Sequence, residues 1–352
     1  MADGINLFSD TQTLPTEEML RAIAGAELGD DMLGEDPTVN RLEARAAELT
    51  GKEAALLVAS GTQGNLTALM AHGGHGDEVL LDADAHAYFY EAGAMCSVAG
   101  FTPRLVPAER GIMRPEALEA AIRPANVHFP RPAVLWLENT HNRGGGTLLR
   151  QERKEALLAV ARRHGLRVHI DGARIFNASV ALGVSVRELC DGVDSVQFCL
   201  SKGLSCPVGS IVCGAREFVE AARRARKRVG GAMRQAGIIA ACGLVALRGA
   251  WIARLAEDHR RARRLAELLA DAPGVALDAS RVETNMVFID ISAWGTGSSE
   301  AQARLRAAGL RASISSATGL RFVTHRHIDD ADIERAAEIV RDLGRALTGC
   351  RA

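Results

Sequence analysis

The chain has 352 residues, enough for one large domain or, more naturally, two. With 47% hydrophobic and 24% charged residues, 35 Gly and 10 Pro, it has the make-up of a globular, enzyme-sized protein, which excludes disorder and collagen-like repeats. Its formal charge of −1 supplies no overall field for nucleic acid or an anionic membrane.

In chain order, short apolar runs alternate with helical patterns, the signature of βαβ units and a mainly parallel sheet. Strands are expected at 54–59, 78–82, 101–107, 133–138, 167–171, 195–200 and 208–213, with helices between them at 63–72, 114–122 and 151–163. Together these make a doubly wound α/β domain with a seven-stranded sheet over residues 21–250. After Met233 the pattern changes to long helices at 234–247 and 251–269, strands at 284–291, 310–314 and 319–324, and a last helix at 329–347. Residues 251–352 therefore read as a smaller C-terminal α+β domain.

The apolar stretch from Ala236 to Leu247 falls short of the roughly 20 residues a bilayer span needs and reads as a buried helix. The start, Met1 to Asn6, lacks the basic and apolar regions of a secretion signal. Cys96, Cys190, Cys199, Cys206, Cys213, Cys242 and Cys350 include no CxxC pair, so a zinc cage or disulfide framework is not indicated. Reduced thiols in a cytoplasmic protein are the simplest reading.

Of the 42 basic residues only four are lysines, Lys52, Lys154, Lys202 and Lys227. A guanidinium cannot form a Schiff base, so each lysine merits inspection. Lys202 is the only charged residue between Asp194 and Arg216, on the turn joining two apolar strands. A low-dielectric setting pushes an ammonium towards the neutral amine that imine chemistry needs; the competing reading is a strand-end lysine reaching solvent. Asp171 ends a strand, and ligands of open α/β sheets bind at such ends. A carboxylate there suits the ring nitrogen of pyridoxal phosphate (PLP), although an ordinary helix N-cap would look the same. The run Ala59-Ser60-Gly61-Thr62-Gln63-Gly64-Asn65 opens a helix after a strand and can cradle a phosphate, and it is neither a P-loop nor a GxGxxG fingerprint.

His86 follows a strand end and can lie over a planar ring or act as a base, and His128, in a Pro-bounded loop, can enter the same cleft; a lone histidine is more often a structural or surface residue. His325 and His327 lack a clear third ligand, so no metal site is expected. The basic run Arg223 to Arg228 reads as a solvated face or a subunit contact rather than a nucleic-acid surface.

The ordered set Ser9-Asp10-Thr11, Gly34-Glu35-Asp36-Pro37-Thr38, Ser60 to Asn65, Glu138-Asn139-Thr140-His141-Asn142, His169 to Arg174, Leu200-Ser201-Lys202-Gly203-Leu204 and Gly230 to Gln235 resembles the L-threonine aldolase family over nearly the whole chain. The resemblance implies the PLP-dependent aspartate aminotransferase fold (fold type I) and retro-aldol cleavage of threonine or allo-threonine to glycine and an aldehyde. It also implies residue roles. Lys202 would carry PLP as an imine, Asp171 would bind its ring nitrogen, and Gly61, Thr62 and Arg234 its phosphate, with Arg234 reaching in from a neighbouring subunit. Ser9, Arg174 and Arg321 would grip the substrate carboxylate, so that the segment 1–20 contributes to the active site. His86 would stack on the cofactor and, with His128, face the β-hydroxyl. A homodimer, usually paired into a homotetramer, is implied, with active sites at the subunit interface. The chain departs from the family in having Leu33 where Tyr is common and Leu14 where Arg is common. That leaves a related lyase acting on another β-hydroxy amino acid (phenylserine or hydroxyaspartate type), or a β-eliminating lyase, as the alternative, with a non-catalytic protein on the same fold behind both.

Overall fold

The computed structural model describes residues 4–349, so Cys350 lies outside the described residues, as do the first three. The described chain forms two compact units. One takes Leu14–Gly144 and Leu148–Ile252; the other takes the chain up to Thr13, the short piece Gly145–Thr147, and the chain from Ala253 onward.

The first unit is built on seven strands: β1 (Ala54–Val58), β2 (Glu78–Leu81), β3 (Thr102–Leu105), β4 (Pro132–Glu138), β5 (Arg167–Asp171), β6 (Ser195–Cys199) and β7 (Ser210–Gly214). Their spatial order is β1-β7-β6-β5-β4-β2-β3. The pairs from β6 through β3 are parallel, and β7 runs antiparallel to both its neighbours. Alternate strand residues Leu56, Val58, Val79, Leu81, Val134, Trp136 and Val212 share one core with Ala68, Leu69, Val219 and Ala222 from the helices Gly61–His72 and Arg216–Arg228. Strands buried on both faces read as continuous apolar runs, which is why the inner strands are visible in the sequence.

Two motifs turn out to be structural clamps. Asp36 accepts hydrogen bonds from the N–H groups of Thr38 and Val39, capping the helix Pro37–Thr50, and from those of Gly29 and Gly237. One buried carboxylate thus pins the 29–36 loop to the start of the helix Gly237–Ala246. The basic run departs from the expected solvated face at one member, Arg226. Within the helix Arg216–Arg228, Arg226 is fully buried, donating to Leu57 O at 2.7 Å and to Asp31 Oδ2 at 2.6 Å, while Arg224, Lys227 and Arg228 stay exposed. Burial of the guanidinium is offset because its two Nη groups are met by a carboxylate and a carbonyl.

The second unit centres on a three-stranded antiparallel sheet, β8 (Met286–Asp290), β9 (Ser313–Ser316) and β10 (Gly319–Val323), in the order β8-β10-β9. Helices Leu255–Leu269 and Asp330–Thr348 bury Leu265, Leu269, Ile333 and Val340 with Val287, Ile289, Leu320 and Phe322. Two expectations change here. The helix foreseen over 251–269 is two helices, Gly249–Ala253 and Leu255–Leu269, because the chain passes from one unit to the other at Ile252. The strand foreseen over 310–314 divides as well: Leu310–Arg311 pairs in parallel with Ile5–Asn6, and Ser313 begins β9.

Among the described residues no single helix is long and apolar enough to cross a membrane.

Candidate active site

The carboxyl ends of three strands carry a polar row. Glu138 is the register partner of Asp171 across β4 and β5, and Asp171 that of Gln197 across β5 and β6. All three are buried, at the edge where open α/β sheets bind ligands. Asp171 accepts at Oδ1 from Gln197 Nε2 (3.0 Å) and Ala173 N (3.1 Å), and at Oδ2 from Asn65 Nδ2 (2.8 Å).

Above the edge of β1 the helix Gly61–His72 begins. Ser60 caps it by accepting from Gln63 N, which leaves the first-turn N–H groups of Gly61 and Thr62 without intrahelical partners. The helix sits so close to the sheet that a Cβ on Gly61 would lie 2.8 Å from Cys199 Sγ, and one on Gly64 2.7 Å from Gln197 Cγ. Glycine is therefore required at both positions for this helix end to reach the strand ends. The arrangement offers an anion site at a helix N-terminus.

Lys202 lies half-buried in the turn between β6 and β7, its carbonyl accepting from Ser205 N at 2.8 Å. Ser205 takes a left-handed backbone conformation, φ 66°, which folds the turn back on itself. The other lysines are placed differently. Lys52 Nζ donates to the carbonyls of Cys190 and Val193, Lys154 Nζ to those of Glu188, Leu189 and Asp191, and Lys227 is exposed.

His86 opens a short helix after β2, its backbone N–H held by Glu138 Oε2 at 2.7 Å. Its Nδ1 lies 2.9 Å from Glu91 Oε1, and the same oxygen accepts from Asn65 Nδ2 at 2.8 Å. Burial alone would lower the His86 pKa, but the hydrogen bond to Glu91 and the charge of Asp171 outweigh it, and the ring is held above its ordinary value. Lys202 acts on the same ring with the opposite sign, which places it within electrostatic reach of His86. The ligand atoms of His86, Glu91 and Asp171 lie within 4.8 Å of one another. By donor count the three could hold a cation, but both carboxylates already accept from Asn65.

Arg174, at the start of the helix Ile175–Leu182, is buried, with Nη1 3.5 Å from Asn142 Oδ1. The structure thus brings Lys202, Asp171 and His86 together with the helix end of Gly61 and Thr62. It does not bring His128 to them: His128 is exposed on the 122–131 loop, and among the described residues its side chain makes no hydrogen bond to Lys202, Asp171 or His86. Arg234 is exposed and pairs with Asp30 at 2.8 Å. Leu33 and Leu14 are exposed. In the second unit, Ser9 Oγ accepts from Thr11 N and Thr11 Oγ1, and Arg321 on β10 donates from Nε to Ser313 Oγ at 2.9 Å. His325 Nε2 faces the carbonyl of Asn6 at 2.8 Å.

Three residues of the cluster escape sequence reasoning: Glu91, Gln197 and the bridging role of Asn65. Gln197 leaves a signal as a polar residue inside an otherwise apolar strand, and Asn65 belongs to the glycine-rich run, but Glu91 has none.

The family model described as beta-eliminating lyase matches residues 6–293. Low-specificity L-threonine aldolase 1 of Arabidopsis thaliana is 43% identical over 343 residues, covering 94% of this chain and 93% of that protein. The low specificity L-threonine aldolase of Escherichia coli (strain K12) is 41% identical, covering 95% and 97%. Among solved structures, a threonine aldolase of Leishmania major aligns with TM-score 0.80 at 18% identity over 96% of this chain and 99% of that one. A serine palmitoyltransferase of Sphingomonas wittichii aligns with TM-score 0.76 at 20% identity over 99% and 89%. These two share the fold.

Proposed function

Because the chain belongs to the beta-eliminating lyase family, as one of its threonine aldolases, we propose that it cleaves L-threonine and L-allo-threonine to glycine and acetaldehyde with PLP as cofactor. The observation that carries the reading is the buried Asp171 carboxylate, held by Asn65 and Gln197 at a strand end, beside the open N-terminus of Gly61–His72 and acting with Lys202 on the His86 ring.

The residues present fit the cofactor. Gly61 and Thr62 would offer N–H donors to its phosphate, Asp171 would offer an anion to its ring nitrogen, His86 would lie against its ring, and Lys202 would supply the amine that attaches it. When bound, PLP supplies a sink for the electron pair left on Cα as the Cα–Cβ bond breaks. The chain's own part is positioning and proton transfer. Arg174 offers a planar fork to the substrate carboxylate, the donor set suited to bidentate recognition. His86 takes the β-hydroxyl proton, since its Nδ1 is engaged by Glu91 and its pKa is raised towards that of an effective base. His128, on its exposed loop, is the weaker candidate. The exposed side chain of Arg234, paired with Asp30, would serve a neighbouring copy in a homodimer or homotetramer of a cytoplasmic enzyme.

A second reading is β-elimination, favoured by the description of the matched family. The products separate the two. Incubation with L-threonine and with L-allo-threonine is expected to give glycine and acetaldehyde in equal amounts. Ammonia with 2-oxobutanoate in their place would overturn the aldolase reading in favour of elimination, and no turnover of either amino acid would point to another β-hydroxy substrate.

A further inference from the structure

We propose that Glu91 is a positioning residue for the reaction: it fixes His86 with the proton on Nδ1, so that Nε2 is the nitrogen presented for proton transfer. The inference rests on the function proposed above for its meaning, but its geometry stands by itself.

Glu91 is buried, and its Oε1 receives both His86 Nδ1 at 2.9 Å and Asn65 Nδ2 at 2.8 Å. A carboxylate that already accepts from an amide N–H is a poor donor, so the hydrogen between Glu91 and His86 belongs to the imidazole. Among the described residues His86 Nε2 has no hydrogen bond, which leaves it the one ring nitrogen able to accept. The orientation of Asn65 is fixed in turn. Both its N–H groups face carboxylates, Glu91 and Asp171, while its Oδ1 faces Gln197 Nε2 at 3.4 Å. A reversed amide would point its oxygen at two carboxylates.

The charges around His86 are Glu91, Asp171 and Lys202, with Tyr90 packed against its ring at 5.3 Å between centroids and Glu138 holding its backbone. Glu91 is the one whose charge touches the ring directly. When Nε2 gains a proton, the resulting imidazolium is balanced across a 2.9 Å hydrogen bond, the same service a buried carboxylate gives the histidine of a hydrolase triad. Burial raises the Glu91 pKa, and the hydrogen bond from His86 opposes that rise, so the ring in turn supports the charge on the carboxylate that holds it.

The test is Glu91→Gln. The amide oxygen can keep both hydrogen bonds at its Oε1 position, so the substitution removes charge while keeping shape. In 15N-labelled protein, with the His86 signals assigned through His86→Asn, the wild type is expected to show the Nδ1–H tautomer. Glu91→Gln is expected to lower the His86 pKa by at least one pH unit and to move the acid limb of kcat/KM down by the same amount, with the melting temperature and PLP uptake unchanged. An unchanged His86 titration, or an Nε2–H tautomer in the wild type, overturns the proposal, and the wild-type tautomer decides it alone if the variant does not fold. If His86 shifts as expected but L-threonine yields no acetaldehyde, the hold of Glu91 on His86 is upheld and the proposed reaction is what fails.

Discussion

Arg226 and Asp31 face each other at 2.6 Å with both side chains almost wholly withdrawn from water. Removing one member of such a pair strands a buried charge. Arg226→Met is therefore expected to destabilise the protein by about 3 kcal/mol, the low end of the range for buried pairs, because Arg223 stands 3.8 Å from Asp31 and offsets part of the loss. The double variant Arg226→Met with Asp31→Leu should recover most of it. Denaturant midpoints at one fixed protein concentration measure both effects.

Asp36 ties four backbone N–H groups from three segments. Asp36→Ala removes a helix cap and frees the 29–36 loop from the helix Gly237–Ala246, with an expected loss of about 2 kcal/mol. Hydrogen exchange should show the increase in opening at residues 29–39 and 237–240 rather than across the sheet. Uniform exchange over the whole chain would contradict the clamp.

Acid should destabilise the protein through its buried histidines. Burial pushes the His72 pKa down to about 4, against the field of Asp194. Its folded value thus lies below the unfolded one, so the stability it contributes is complete above pH 6.5 and is lost as pH falls towards 4. His72→Phe keeps the stacking on Phe218, and Ser195 Oγ keeps His169 Nδ1 at 2.7 Å. The stability difference between wild type and this variant is expected to hold constant above pH 6.5 and to move in the variant's favour below it, by roughly 1.4 kcal/mol per pH unit. A pH-independent difference would contradict a neutral His72 in the fold.

Much of the sheet was legible because parallel strands buried on two faces must be apolar throughout, as in Leu135 to Leu137 and Ile170. The breaks at Arg254 and Ala312 were not: the first follows the change of unit at Ile252, and at the second Leu310–Arg311 finds Ile5–Asn6 from the other end of the chain. Within the candidate site, Asp171, Lys202 and Gly61 declare themselves by position at strand ends and helix starts. Glu91 does not, because its role exists only once Asn65 and His86 reach it from other elements. Arg226 is hidden among exposed neighbours because a basic run on a helix shows its charge in sequence but not which of its members faces Asp31.

The central claim is that Lys202 attaches the cofactor on which the reaction depends. Loading the protein with PLP, reducing it with borohydride and mapping the labelled peptides tests this most directly. The account predicts a single phosphopyridoxyl label on the peptide containing Lys202, absent from Lys202→Ala along with activity. A label on Lys52, Lys154 or Lys227, or no label in an active protein, would contradict it.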